Sequence, residues 1–359
     1  MKKILLSLLA VAALASCSKM NVVYDEPAEI GFSAVAGNIT KAVVDGNVMP
    51  TELNMYIFAE TADNTTADAN YINNGEFKYK GAYNSINTES SDNKSVWGGV
   101  TPYYWPNVKT LHFAGYTKSG NVSSNATVAY NCTNGKLSIT NYSPGTDTGK
   151  GANDLMWFPT TELLNAGGYD KKTDYVPVDL YHTCAWITFL VKGDDVTGKN
   201  GSTYKINSLT ITNIDQTADV ECSATASNTT ITPNIIWSNN TTQTETYAVP
   251  FKTNGGFILS TTEKNVETED ATTTSGNVIV IPQTPGKLTL SYSYTSSVNV
   301  SITETVADLD LKVNTNAESN KWLPGVHYIY TITIKANEIL VAPTPVDWNP
   351  DSNYSVTVE

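Results

Sequence analysis

The stretch 287-KLTLSYSYT-295 sets Leu288, Leu290, Tyr292 and Tyr294 on one face of an extended chain and Thr289, Ser291 and Ser293 on the other. Alternation at period two marks a β-strand with one buried face. The same period runs through residues 327–334, where Tyr328, Tyr330, Ile332 and Ile334 share a face, and through 204–213 by way of Leu209 and Ile211. The stretch 277–282 holds a short continuous apolar run between Asn277 and Pro282, the pattern of a strand buried on both sides. Turn signals separate these runs: Pro285-Gly286, Asn254-Gly255-Gly256, Asn200-Gly201, Asn134-Gly135 and Asn73-Asn74-Gly75. Long helical patterns are scarce. Many short strands between such turns predict an all-β protein built from sandwiches.

At 359 residues the chain suits two domains. The polar stretch Gly167-Gly168-Tyr169-Asp170-Lys171-Lys172 precedes a new apolar run, and a boundary there gives domains over 42–170 and 171–359. Each is large enough to bury a core without disulfides or metal. The Asn/Thr/Ser tracts at 61–74, 84–95, 223–230 and 238–245 read as exposed loops. Formal charge is −13, which argues against nucleic-acid binding. Every basic residue is lysine; the chain has no arginine.

The first residues carry their own signal. Lys2 and Lys3 precede an apolar run, 4–14, broken only by Ser7. A spanning helix needs about 20 apolar residues, so this run reads as a secretory signal. Leu14-Ala15-Ser16-Cys17 then matches the bacterial lipobox, whose cysteine takes a diacylglycerol and becomes the new N-terminus. Residues 1–16 are thus expected to be the signal peptide, with acyl chains (palmitate among them) on Cys17 as the expected anchor of the precursor in the outer membrane. The remaining cysteines, Cys132, Cys184 and Cys222, allow at most one disulfide and have no metal-site spacing.

No catalytic constellation emerges. His112, His182 and His327 lie outside any HExxH pattern, and His112 and His182 read as structural histidines in apolar runs. Residues 145–151 make a Gly-rich turn whose spacing is short for a phosphate loop. Asp194-Asp195 and Asp308/Asp310 lack the spaced oxygens of a calcium loop. The expectation is a protein without enzymatic activity, cofactor or metal.

Four stretches together resemble the fimbrillins, or type V pilins, of Bacteroidota. Pro102-Tyr-Tyr-Trp-Pro-Asn-Val-Lys-Thr-Leu-His-Phe-Ala-Gly-Tyr116 is similar to that family's YxWP…LxFxAY segment, with Gly115 in place of the usual alanine. Asp154-Leu155-Met156-Trp157 is similar to DLMxA at the end of the first domain; Trp157-Phe158 departs from the usual small residue. Residues 178–191, with Leu180, His182, Ala185, Phe189 and Val191, resemble the LxHxxAxxxFxV strand that opens the second domain. Trp322-Leu-Pro-Gly325 followed by Tyr328 and Tyr330 resembles the WxPGxxYxYxI hairpin.

The resemblance implies two tandem transthyretin-like β-sandwich domains. It also implies a lipidated, exported precursor that a trypsin-like protease cuts in its first loop. The cut removes the N-terminal strand, and an extended segment from another subunit fills the groove. Residues 29–35 fit the removable strand, with Ile30, Phe32 and Ala34 inward, inside a propeptide spanning 17–41. The family junction Thr-Arg-Ala is Thr40-Lys41-Ala42 here. Lysine and arginine fit different protease pockets, so either a lysine-accepting enzyme cuts between Lys41 and Ala42 or the strand stays in place. At the other end, 338–342 and 344–348 look like strands around prolines. Tyr354, Val356 and Val358 alternate in a candidate donor tail over about 336–359. The other possibility is that 336–348 closes the second domain.

The expected function is therefore a structural subunit of a surface fimbria. Its partners are copies of itself or related fimbrial subunits, with a host or bacterial surface ligand in adhesion. Anchor and tip subunits are variants of this reading. The competing reading is a surface glycan-binding lipoprotein, since the chain holds seven Trp and twenty Tyr.

Overall fold

The computed structural model describes residues 28–36, 53–61, 71–82, 95–106, 110–118, 126–131, 133–144, 154–161, 175–193, 204–227, 230–239, 243–251, 257–266, 278–295, 300–313, 320–335 and 338–347. Among them the regular elements longer than a single turn are all strands. The chain begins with β1 (Gly31–Ala36), β2 (Asn54–Thr61), β3 (Ile72–Ala82), β4 (Ser95–Gly99) and β5 (Leu111–Lys118). A hairpin follows, β6 (Thr127–Asn131) and β7 (Lys136–Tyr142), then β8 (Met156–Phe158) and β9 (Val176–His182). Next come β10 (Ala185–Gly193), β11 (Tyr204–Ile214), β12 (Ala218–Ser227), β13 (Thr230–Asn239) and β14 (Glu245–Ala248). The short strands β15 (Phe257–Ile258), β16 (Lys264–Asn265) and β17 (Val278–Val280) precede β18 (Lys287–Thr295) and β19 (Ser301–Asp310). The described chain ends with β20 (Val326–Lys335) and β21 (Glu338–Asp347).

Seven strands close into a barrel in the order β1-β4-β3-β2-β5-β8-β9. Closure is completed by β1, which runs antiparallel to β4 and parallel to β9. The barrel interior is aromatic: Phe32, Phe77, Trp97, Phe113 and Phe158 are all buried there, while Trp157, next to Phe158 on β8, is buried on the outer face. The second half stacks two sheets. One has the order β16-β10-β20-β21 with β17 also on β10; the other has β14-β11-β18-β19 with β15 on β11. Between them lies a separate core containing Ile187, Phe189, Leu209, Ile211, Leu288, Leu290, Tyr328, Tyr330 and Ile332. The alternating faces at 287–295 and 327–334 therefore point where period two directs them, although Tyr292 and Tyr294 lie only half-buried at the sheet's end.

A fourth sheet, β13-β12-β7-β6, joins two hairpins from the two halves of the chain. Leu137, Ile139, Val220 and Cys222 pack one of its faces against the outside of the barrel, in one continuous apolar cluster with it. The tract at 223–230 therefore differs from the expected loop: β12 continues through Ser227 and β13 resumes at Thr230. Its small polar residues pair across a hairpin whose register runs unbroken from Ala218↔Asn239 to Ser227↔Thr230.

The run at 178–191 is two strands rather than one. β9 completes the barrel and β10 enters the second core, with the change of direction at Thr183-Cys184. Several bonds hold that corner. The Thr183 N–H and hydroxyl both donate to the Leu155 carbonyl, at 2.9 and 2.8 Å. The Trp237 indole N–H donates to the Thr183 carbonyl at 2.7 Å, and Gly325 N–H to the Cys184 carbonyl at 2.8 Å. At the C-terminal end, 338–347 is one strand through both prolines, paired with β20 along its whole length.

Candidate functional site: the slot occupied by β1

β1 is held on both sides. Gly31, Phe32 and Ser33 face Gly98, Trp97 and Val96 on β4, while 32–36 run beside 176–180 on β9. Just before it, Ile30 N–H donates to the Tyr103 carbonyl at 2.8 Å and Trp105 N–H to the Ala28 carbonyl at 2.9 Å. The aromatic-proline segment at 102–106 thus serves as a backbone cradle for the entry into β1.

The inward side chains of the strand are Ile30, Phe32 and Ala34, at 0%, 0% and 3% exposure. Phe32 is the centre of the barrel. Its ring meets Phe77 and Phe113 edge to face, each at 5.1 Å between centroids, and lies 6.5 Å from Phe158. Trp105 closes over Phe113 at 5.7 Å. Fully burying side chains such as Ile30 and Phe32 is worth about 1.5–3 kcal/mol each, so a strand with these two residues is a major stabiliser of its own slot.

The two departures from the fimbrillin pattern meet in this wall. Gly115 and Phe158 are register partners of β5 and β8. A Cβ at 115 would lie 2.6 Å from both the Phe158 ring and the Tyr56 carbonyl oxygen. Bulk absent at 115 is supplied from 158, and the Phe158 ring reaches the Phe32 pocket as a result.

The other motif residues have packing roles. His182 Nδ1 lies 2.7 Å from Asp154 Oδ2, with both side chains buried, and this contact ties the 154–157 motif to β9. Trp322 donates its indole N–H to the Tyr330 hydroxyl at 2.9 Å, and Leu323 N–H donates to the Tyr328 hydroxyl at 3.0 Å. Burial pushes the Tyr328 hydroxyl up to about 12. His327 stacks on Trp186 at 3.6 Å and meets the Thr188 hydroxyl at 2.8 Å. Burial pulls His327 down to about 3, so its ring is neutral near pH 7. Burial likewise drives the thiols of Cys184 and Cys222 well up, and both are free thiols. Trp97, Trp105, Trp157, Trp186 and Trp322 are buried. Among the described residues the exposed large aromatics are Tyr71 and Tyr104. No group of three or more His, Cys, Asp or Glu side chains there is placed to hold a metal ion.

Ile30 and Phe32 are thus the slot's main contacts. Cys17, Lys41, Ala42, Tyr354, Val356 and Val358 lie outside the described residues. Sequence reasoning did not find Phe77 and Phe158 as pocket walls, nor the pairing with β9; no local pattern links residues so far apart.

The chain is similar to solved structures, one of them with a TM-score above 0.5. A fimbrial protein from Bacteroides vulgatus is 15% identical, with a TM-score of 0.51, over 90% of this chain and 100% of that one. A candidate cell adhesion protein from Bacteroides uniformis is 16% identical over 89% of this chain and 98% of that one, with a TM-score of 0.45. No curated protein sequence matches. A family model described as fimbrillin-like matches residues 40–348. The match covers most of the chain, and the chain belongs to the fimbrillin-like family.

Proposed function

We propose that the chain is a structural subunit of a cell-surface fimbria, assembled head to tail by exchange of the β1 strand. In this reading the two cores are tandem transthyretin-like sandwich domains. The precursor is anchored in the outer membrane by lipid on Cys17. A lysine-accepting protease cuts between Lys41 and Ala42, and residues 17–41 leave with β1. An extended segment from another subunit then enters the slot, and Tyr354, Val356 and Val358 are this chain's candidate donor to the next subunit.

The observation that carries the reading is the place of β1. It is the first described strand of the chain, it has a neighbour on each side, and its inward residues fill an aromatic pocket. Withdrawing it leaves two unpaired strand edges and an open apolar cavity. Strand addition repairs both defects with main-chain hydrogen bonds and alternate side chains. A donor-to-slot contact is heterologous, and such contacts build filaments when they do not close into rings. The location is accordingly the cell surface, with adhesion as the family's associated role. Cutting folded full-length protein after Lys41 and analysing it by electrophoresis under mild denaturation tests the reading. A ladder of multiples is expected, and a cut protein that stays monomeric after losing residues 17–41 contradicts it.

The glycan-binding reading needs exposed aromatic platforms. The five tryptophans named above are buried in packing positions. That burial favours the fimbrial reading.

A further inference from the structure

Gly31 is the one residue of β1 between two filled pockets, those of Ile30 and Phe32. Its backbone has no left-handed φ, so the strand geometry itself would accept any side chain there. Space is what forbids it. A Cβ at 31 would lie 2.6 and 2.7 Å from two ring carbons of Tyr175 and 3.4 Å from the Trp97 carbonyl oxygen. Tyr175 immediately precedes β9, whose first residue pairs with Phe32, so its ring lies against the outer face of β1. Gly31 also faces Gly98 across the β1–β4 pair; the Tyr175 ring covers the backbone left bare at Gly31, and the Lys80 stem that at Gly98.

We propose that Tyr175 is a selectivity latch on the β1 slot, admitting strands with glycine between the two pockets. This rests on the proposed exchange of β1. The occupant it specifies is a segment of a related fimbrial subunit with the pattern large aliphatic, Gly, aromatic, any residue, small, running parallel to β9 as β1 does. The chain's own tail does not have that pattern. With Tyr354, Val356 and Val358 in the pockets of Ile30, Phe32 and Ala34, Ser355 falls at the glycine position. Run in the opposite direction, Thr357 falls there. Val356 also leaves much of the Phe32 pocket unfilled. A copy of this chain is therefore a poorer donor than a glycine-bearing relative.

Two measurements test the latch. In the first, full-length protein carries a unique protease site in place of residues 37–41 and is cut after folding. Fluorescent peptides of residues 28–36, the same with Gly31→Val, and residues 352–359 are then added and binding is read by anisotropy. The native peptide is expected to enter. The Gly31→Val peptide should bind about tenfold or more weakly, the penalty for overpacking by such a group, and the tail peptide likewise. Tyr175→Ala should recover most of both losses. Equal binding of native and Gly31→Val peptides to the unaltered protein overturns the proposal. The second measurement uses uncut protein and thermal unfolding. Gly31→Val should lower the midpoint clearly with Tyr175 in place and much less in a Tyr175→Ala background; equal losses overturn the latch whatever the peptides do. If the native peptide itself does not enter the cut protein, strand exchange fails as a reading, while the unfolding cycle still judges Tyr175.

Discussion

β1 and β21 are the first and last described strands, and they are held differently. β1 has β4 on one side and β9 on the other, and its Phe32 sits among Phe77, Phe113 and Phe158. Among the described residues β21 is paired on one side only, with β20, and forms the edge of its sheet. Its Pro343 and Pro345 pair with Tyr330 and Tyr328. Proline has no N–H, so both residues must occupy non-hydrogen-bonded pairs, with their ring nitrogens turned to the open edge. That edge lacks two donors and is a poor template for another strand. Losing β1 opens a core; losing β21 uncovers a strand edge. On the proposed reading the barrel is the acceptor, and the other end carries a protected edge.

Substitutions should divide along the same line. Phe32→Ala is expected to cost about 3–5 kcal/mol, as for a buried aromatic, whereas Ile339→Ala on half-buried β21 should cost about 1 kcal/mol. Chemical denaturation of the uncut precursor measures both, and equal costs would erase the contrast.

Next in size is a pH effect in the second core. Unfolded histidine titrates near 6.5, whereas folded His327 is held at about 3 by burial. Between those values the unfolded chain binds the extra proton, so stability falls as pH drops through this window. The slope is about 1.4 kcal/mol per pH unit. Denaturation curves from pH 7 to 4 should show the fall, and His327→Gln should flatten it.

Gly115→Ala is expected to cost about 1–3 kcal/mol, because the new methyl meets the Tyr56 carbonyl as well as the Phe158 ring. Thermal unfolding checks it; a neutral result would sever the link between the two departures. The smallest effect concerns the edge. Replacing Pro343 and Pro345 by Thr restores two outward N–H groups and should leave the monomer's stability within about 1 kcal/mol. It should raise concentration-dependent self-association, which size-exclusion chromatography would detect.

These contrasts were unevenly legible in the sequence. Ile30, Phe32 and Ala34 alternate, so the inward face of β1 follows from its residues alone. Its parallel partner does not, because β9 lies far along the chain and nothing local encodes the pairing. Val220 and Cys222 also alternate with polar residues, but the Ser, Thr and Asn content around 223–230 resembles a loop. Only the barrel beneath makes that hairpin a strand pair. The WxPG motif was visible as a pattern. That Trp322 bonds the Tyr330 hydroxyl, and Leu323 the Tyr328 hydroxyl, emerges only when the turn folds back on β20.

The central claim is that β1 leaves its slot in the working protein. The most direct measurement is the N-terminal residue of the polymer taken from intact cells, determined by mass spectrometry. The account predicts Ala42, with residues 17–41 absent and another subunit's segment between β4 and β9. Polymer whose subunits begin at acylated Cys17, with β1 still attached, would contradict it.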